Sequence, residues 1–374
     1  MTKVMKVMKH FKMGAVGLFL LSLNVSFSTT LAVASANEEN AVHFRLWSEF
    51  EKWDSLKKKL PALGKLPVTL HIAIPQNEVE GTDFQTNAHF QELVALLKDA
   101  KDNHVSVYLW PLLGKKEGYW LNQWNANIFT QYVLRLKDRL RSEDAAFDGV
   151  SLDIELHTDK MHEYGELAKK LKLGTLSKKF KASQDPKQFQ ESLTIIQNLC
   201  SLLRSEGIRT HAVTLPFVLD DFTHSHSKKP VFLQHLLGLP VPYGYVDDLS
   251  VMSYRSVYQV ASGKMNSQMV YDHALQSRKV FAHASIDVGI IGDMGGSPGA
   301  PMQLKGFQNP EELRKDVIAA RAAGVHHIGI YALDGMDDVD VWLRQDFTPK
   351  SPKKSLKWTV IQNLTSALYG LLSL

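Results

Sequence analysis

The stretch Phe147-Asp148-Gly149-Val150-Ser151-Leu152-Asp153-Ile154-Glu155 decides the fold. In a strand, successive side chains point to opposite faces. Val150, Leu152 and Ile154 share one face, and Ser151, Asp153 and Glu155 share the other. The first face is aliphatic and suits a layer of helices. The second ends in two carboxylates, and carboxylates are seldom buried without a partner or a task. A strand end that is merely solvated or salt-bridged would carry the same residues, so the segments around it must discriminate.

Working outward, strand-like and helix-like segments alternate. The strand-like segments are Val42–Trp47, Val68–Pro75, Val105–Leu113, Phe147–Glu155, Ile208–Pro216, Val246–Tyr254, Lys279–Gly289 and His326–Asp334. Helical runs are expected at Ser48–Leu60, Asn87–Asn103, Asn127–Arg141, Pro186–Ser205 and Ser267–Ser277. A last helix starts at Asn309-Pro310-Glu311-Glu312 and stops at Gly324, with a capping residue, proline in the first turn and acidic residues at the positive end of the dipole. This order predicts a single (β/α)8 TIM barrel with the quoted stretch as its fourth strand. A doubly wound sheet also alternates, but no Gly-rich phosphate loop follows an early strand.

The strand faces support a lumen that carries chemistry. Val68, Leu70, Ile72 and Ile74 oppose Thr69, His71 and Ala73; Val42, Phe44 and Leu46 oppose His43, Arg45 and Trp47; Val105, Val107 and Leu109 oppose Ser106, Tyr108 and Trp110. Strands that only hold a parallel sheet together tend to be apolar on both faces. Long connections at 156–185, 217–245 and 290–308 follow strand ends, on the side where such barrels place their sites.

These motifs resemble those of the chitinase-like glycoside hydrolases of family 18. The family's fourth strand carries D-x-x-D-x-D-x-E, matched here by Asp148, Asp153 and Glu155, with Ser151 in place of the middle Asp. Its sixth strand ends in M-x-Y-D, and here the chain reads Met252-Ser253-Tyr254-Arg255; at the end of the eighth strand Tyr331 stands where the family has tryptophan. The resemblance spans roughly residues 42–346. It implies a glycosidase with Glu155 as general acid, Asp153 orienting a substrate acetamide, and Tyr254 donating to the acetamide oxygen. The second carboxylate beside the acid, Asp153, is expected to raise its pKa. Trp47, Trp110, Tyr331, Arg255 and Ser151 are the candidate substrate-binding residues, with Tyr119, Trp120 and Trp124 as further stacking candidates. Arg255 reverses a charge at the expected groove and suggests an acidic or modified amino sugar. Ser151 cannot carry the charge of the middle Asp, which favours as alternative a carbohydrate-binding barrel without catalysis. A phosphodiester hydrolase using His71 or His283 with Arg45 lacks any supporting motif. Asp148, of opposite parity, is assigned a structural role.

Residues 1–36 read as a secretory signal peptide: Lys3, Lys6, Lys9 and Lys12, an apolar run to about Val25, and Ala34-Ser35-Ala36 before the cleavage point. The expected location is secreted or periplasmic. Removing these four lysines takes the formal charge from +4 to about zero, which leaves no basic field for nucleic acid. The barrel is expected over 37–348 and a basic, amphipathic C-terminal helix over 349–374, with Leu356, Val360, Leu364 and Leu368 at helical spacing. That helix docks on the barrel or touches a membrane surface. The one cysteine, Cys200, lies in an apolar helical run and is read as a core residue. No metal or cofactor is expected; His224-Ser225-His226 and the lysines from Lys169 to Lys181 read as solvated loop. The partner is an oligosaccharide or polysaccharide.

Overall fold

A computed structural model describes residues 41–49, 51–80, 87–169, 185–223, 231–257, 265–281, 283–294 and 304–363. The signal segment 1–36, His224-Ser225-His226, the lysines from Lys170 to Lys181, Leu364 and Leu368 lie outside the described residues.

Eight parallel strands close into a barrel: β1 (His43–Ser48), β2 (Val68–Pro75), β3 (Ser106–Leu112), β4 (Gly149–Ile154), β5 (Arg209–Thr214), β6 (Asp248–Met252), β7 (Ala284–Gly289) and β10 (His327–Tyr331). The seam joins β1 to β10, with His43 beside His327 and Trp47 beside Tyr331. Two-residue strands β8 (Asp293–Met294) and β9 (Leu304–Lys305) pair antiparallel after β7. The helices in chain order are α1 (Trp53–Leu63), α2 (Gln76–Val79), α3 (Ala88–Asp102), α4 (Ala126–Ser142), α5 (Thr158–Lys169), α6 (Pro186–Ser205), α7 (Val218–Thr223), α8 (Phe232–Leu237), α9 (Gln268–Val280), α10 (Pro310–Ala322) and α11 (Val339–Leu343). The chain is therefore a (β/α)8 barrel.

Alternation built into the strands produces the layers. Leu70, Ile72, Ile74, Leu152, Ile154, Ile328 and Ile330 face outward and are buried under the helices. The helices answer with apolar residues at turn spacing: Leu56, Leu60 and Leu63 on α1, Phe90, Leu93 and Leu97 on α3, and Phe129, Val133, Leu136 and Leu140 on α4. Each such side chain contributes about 1.5–3 kcal/mol when fully buried. Three helix starts are capped by side chains, the one at Asn309 as its sequence predicts. Asn87 accepts from Phe90 N, Asp185 from Gln188 N and Asn309 from Glu312 N. Cys200 is buried and burial pushes its thiol up to about 12, in keeping with a packing role.

Two boundaries depart from the sequence expectation by five residues. The first helix begins at Trp53 rather than Ser48. Ser48 Oγ, Glu49 N and Glu51 N all donate to the Asp334 carboxylate, at 3.0, 3.0 and 2.6 Å, which holds Glu49 and Glu51 out of the helix. Helix α9 runs to Val280, and β7 starts only at Ala284 rather than at Lys279.

Helical residues 356–363 dock on the barrel through Trp358, whose Nε1 donates to Asp272 Oδ2 at 2.8 Å, and through the buried Ile361. Leu356 and Val360 face outward. No helix among the described residues is long and apolar enough to cross a membrane.

At the base of β4, Asp148 Oδ2 accepts from Val107 N at 2.8 Å, and Asp148 N donates to Val107 O at 2.8 Å. The carboxylate ties the entry of β4 to β3, the structural role its parity suggested. Asp148→Ala is expected to lower the urea unfolding free energy by about 1 kcal/mol, with no change in ligand affinity of the folded protein by calorimetry.

Candidate active site

The lumen is polar at its floor and aromatic above. Arg45 pairs with Asp248 at 2.7 Å and His43 bonds Thr69 at 2.8 Å. Above them Ser151 Oγ and His71 Nδ1 are 2.6 Å apart, and His211 Nε2 lies 3.0 Å from Ser250 Oγ. Burial holds both imidazoles well below the usual histidine range, and Arg45 adds to the effect. The Trp47 ring covers His71 at 4.4 Å and meets Trp110 edge-on at 5.0 Å. The indole nitrogens of Trp47 and Trp110 are buried and turn toward the lumen carboxylates, Trp47 acting on Asp287 and Trp110 on Asp153. Residues once weighed for phosphodiester chemistry, Arg45 and His71, are thus engaged below the mouth.

Glu155 stands at the C-terminal end of β4. Its backbone is fixed by Leu121, which runs beside β4: Leu121 N donates to Asp153 O at 3.0 Å and Glu155 N to Leu121 O at 3.1 Å. Burial, and after it the charge of Glu49, pushes the Glu155 carboxyl up to about 8. Asp153 is 3% exposed and its Oδ1 has no partner. Burial holds Asp153 well above the usual carboxylate range, followed by the charges of Glu155, Glu49 and Asp287, with Trp110 acting in the opposite sense. The Tyr254 phenol is raised by burial and then by Asp287, Asp153, Glu155 and Glu49. Asp153, Glu155 and Tyr254 therefore lie within one another's field at the C-terminal end of the barrel strands. Asp153 and Glu155 repel one another, as the sequence suggested, and Glu49 adds a further like charge that acts on both.

Two residues were missed from sequence. Glu49 accepts from Tyr119 Oη at 2.8 Å and from Tyr331 Oη. It continues the inward parity of His43, Arg45 and Trp47, but the expected helix start at Ser48 hid this. Asp287 lies wholly buried on β7, and burial pushes it up to about 6 against the opposing pull of Arg45, Ser250 and Trp47. It occupies the space left by Gly329 on β10, where a Cβ would come within 2.1 Å of Asp287 Oδ1. The signal was a lone aspartate between Ile286 and Val288, inside the strand-like segment Lys279–Gly289.

The other expected site residues divide. Tyr331 stacks on Tyr254 with ring centroids 5.8 Å apart, and Trp110 meets Tyr331 at 6.3 Å, so the three aromatics converge at the mouth. Trp124 is partly exposed and packs edge-on against His157. Ser151 is fully buried and its hydroxyl is used by His71, which removes it from the substrate-binding set. Arg255 is also corrected. Its Nε donates to Asp316 at 2.7 Å, Nη2 to Glu312 Oε2 at 2.9 Å and Nη1 to Met265 O at 3.1 Å, while its guanidinium covers Phe307. Tyr254 is in the field of the lumen carboxylates, whereas Arg255, next along the chain, is directed at α10. With that guanidinium committed, the argument for an acidic sugar loses its basis. Among the described residues no group of three His, Cys, Asp or Glu is arranged to hold a metal ion.

No family model matches the sequence, and no curated protein does. Solved structures do. The β-glucosidase from Thermotoga maritima in complex with deoxynojirimycin aligns at a TM-score of 0.50 and 11% identity, over 80% of this chain and 90% of that one. The PgaB (BpsB) glycoside hydrolase domain from Bordetella bronchiseptica aligns at 0.46 and 12% identity, over 83% of this chain and all (100%) of that one. A fungal β-1,4-galactanase aligns at 0.45 and 12%, over 78% and 89%. What is shared is the barrel. At such identities the likeness extends to the fold, and reactions are properties of sites.

Two outcomes follow from the buried charges. Burial raises the Asp316 carboxyl, and Arg255 only partly offsets this. Arg255→Met would leave Asp316 buried without its counter-charge and should cost about 3–5 kcal/mol in urea unfolding. Glu155 titrates near 8 in the folded chain against an ordinary 4.5. Its folded pKa is the higher, so its stabilising contribution is complete below 4.5 and is lost as pH rises through about 8. Glu155→Gln should therefore raise the melting temperature at pH 9 relative to the parent and leave it nearly unchanged at pH 4.

Proposed function

We propose that the chain is a glycoside hydrolase acting on a glycan that contains N-acetylamino sugars, with Glu155 as the acid. The observation that carries this reading is Glu155 itself: a carboxyl raised to about 8, at the end of the fourth barrel strand, beside Asp153 and Tyr254. Such a group holds a proton at neutral pH and can give it up to a departing oxygen.

In this reading Glu155 protonates the glycosidic oxygen as the anomeric C–O bond breaks. The acetamide oxygen of the same sugar attacks the anomeric carbon from the other face, the substrate-assisted route of the family the motifs resemble. Tyr254 donates its O–H to the acetamide oxygen and Asp153 accepts the acetamide N–H. Water then attacks the anomeric carbon, the cyclic intermediate opens, and the Glu155 carboxylate takes the proton from that water. The configuration is retained. Trp110 and Tyr331 offer apolar ring surface to the sugar. The leader over residues 1–36 would place this activity outside the cytoplasm, where polymeric glycans are met.

A second reading is a barrel that binds a glycan without cleaving it. The serine at position 151, engaged by His71 and not by Asp153, favours it. A glycan library read by mass spectrometry separates the two. Hydrolysis predicts products from the parent, at least about a hundredfold less from Glu155→Gln, and an alkaline limb of kcat/KM near 8, the pKa of the acid. Tyr254→Phe should lower kcat by about 10²–10³. Binding by calorimetry with no product from the parent would establish the second reading.

A further inference from the structure

We propose that Glu49 is a positioning residue of this site: its carboxylate, clamped by the phenols of Tyr119 and Tyr331, is the fixed charge that keeps the acidic proton on Glu155. The role rests on Glu155 being the acid of the proposed hydrolysis.

The clamp is built from three directions. Tyr119 Oη donates to Glu49 Oε1 at 2.8 Å, and Tyr331 Oη donates to Oε2. A carboxylate that accepts O–H donors on both oxygens is stabilised in its charged form. Behind it, Asp334 Oδ2 accepts from Glu49 N at 3.0 Å, which fixes the backbone from which the side chain reaches the mouth. Tyr331 stacks on Tyr254, so the clamp is continuous with the proposed acetamide donor.

Tyr119 carries a mark of its own. Its φ is +64°, in the left-handed region that an aromatic residue adopts only under constraint. The turn is held by Leu113 N donating to Tyr119 O at 2.9 Å and Tyr119 N to Gly114 O at 3.2 Å. Strained backbone persists where surrounding structure enforces it, and here it delivers a hydroxyl to Glu49.

The charged and titratable groups gathered around Glu155 among the described residues are Glu49 after β1, Asp153 on β4, Tyr254 after β6 and Asp287 on β7, with Tyr119 and Tyr331 on Glu49 and Glu78 of α2 acting on Tyr119. Tyr119, which holds Glu49, lies two residues before Leu121, whose carbonyl accepts from Glu155 N at 3.1 Å, so one turn carries both the clamp and the strand end of the acid; the charge of Glu49 then joins that of Asp153 in favouring the protonated form of Glu155. An acid that must stay protonated near neutral pH needs a neighbour that stays charged, and a carboxylate held by two phenols meets that need.

The test is a direct titration of Glu155 by NMR in protein labelled at glutamate side-chain carboxyl carbons, with Glu155→Gln assigning the signal. Glu49→Gln is expected to lower the Glu155 midpoint by about one pH unit, with the alkaline limb of kcat/KM moving down by the same amount. The Tyr119→Phe/Tyr331→Phe double variant keeps the carboxylate but removes its clamp, and should move the midpoint in the same direction. It carries the test if Glu49→Gln does not fold, as judged by circular dichroism. An unchanged or higher midpoint in folded variants overturns the proposal. The titration reads no hydrolysis, so it can fail while the glycosidase reading stands, and it can succeed while the glycan screen fails.

Discussion

The pairing of β1 with β10 is the constraint on which the mouth of this barrel depends. Closing the sheet sets Trp47 of the first strand beside Tyr331 of the last. One inward position beyond Trp47 comes Glu49, and the phenol of Tyr331 reaches it. Asp334, just past β10, receives the backbone N–H groups of Glu49 and Glu51. Residues almost three hundred positions apart thus form one corner of the site. No local preference could bring them together; the closure of a parallel sheet does.

Closure also explains the electrostatics. Inward side chains of a parallel barrel leave water together, and each polar group then needs a partner within the lumen. The floor meets that need in part, with Arg45 on Asp248, His43 on Thr69 and His71 on Ser151, while His71 Nε2 and His211 Nδ1 keep no hydrogen-bond partner. Higher in the lumen Asp153 Oδ1 keeps no partner, Asp287 is raised by burial, and Glu155 is raised by burial and like charge. A folded protein tolerates such groups at a cost in stability, and they concentrate where a site uses them. Arg255 shows the contrary case. A guanidinium that could have balanced these carboxylates is spent on Asp316 and Glu312, outside the lumen.

Much of the fold was legible because alternation and capping are local. The eight strand segments, the fourth position of the Asp153-Glu155 strand, and the capped helix start at Asn309 follow from residue patterns alone. Errors fell where a distant group intervened. The first helix starts late because Asp334 captures the loop before it. Arg255 was placed by analogy at a groove rim, and only the position of α10 reveals its partners. Ser151 was judged by what it lacks beside Asp153, while the molecule uses it to bond His71 across the lumen.

By itself, the sequence determined a (β/α)8 barrel and a strand that carries Asp153 and Glu155 inward, because side-chain parity along a strand is fixed by the backbone. It also determined that Tyr254 and Tyr331 lie at strand ends. Tertiary structure alone decided which charges surround Glu155. Electrostatic coupling depends on distance in space and on exclusion of water, and neither is encoded within a single strand. Glu49, Asp287 and the two phenols enter the site for that reason, and Ser151 and Arg255 leave it for the same one.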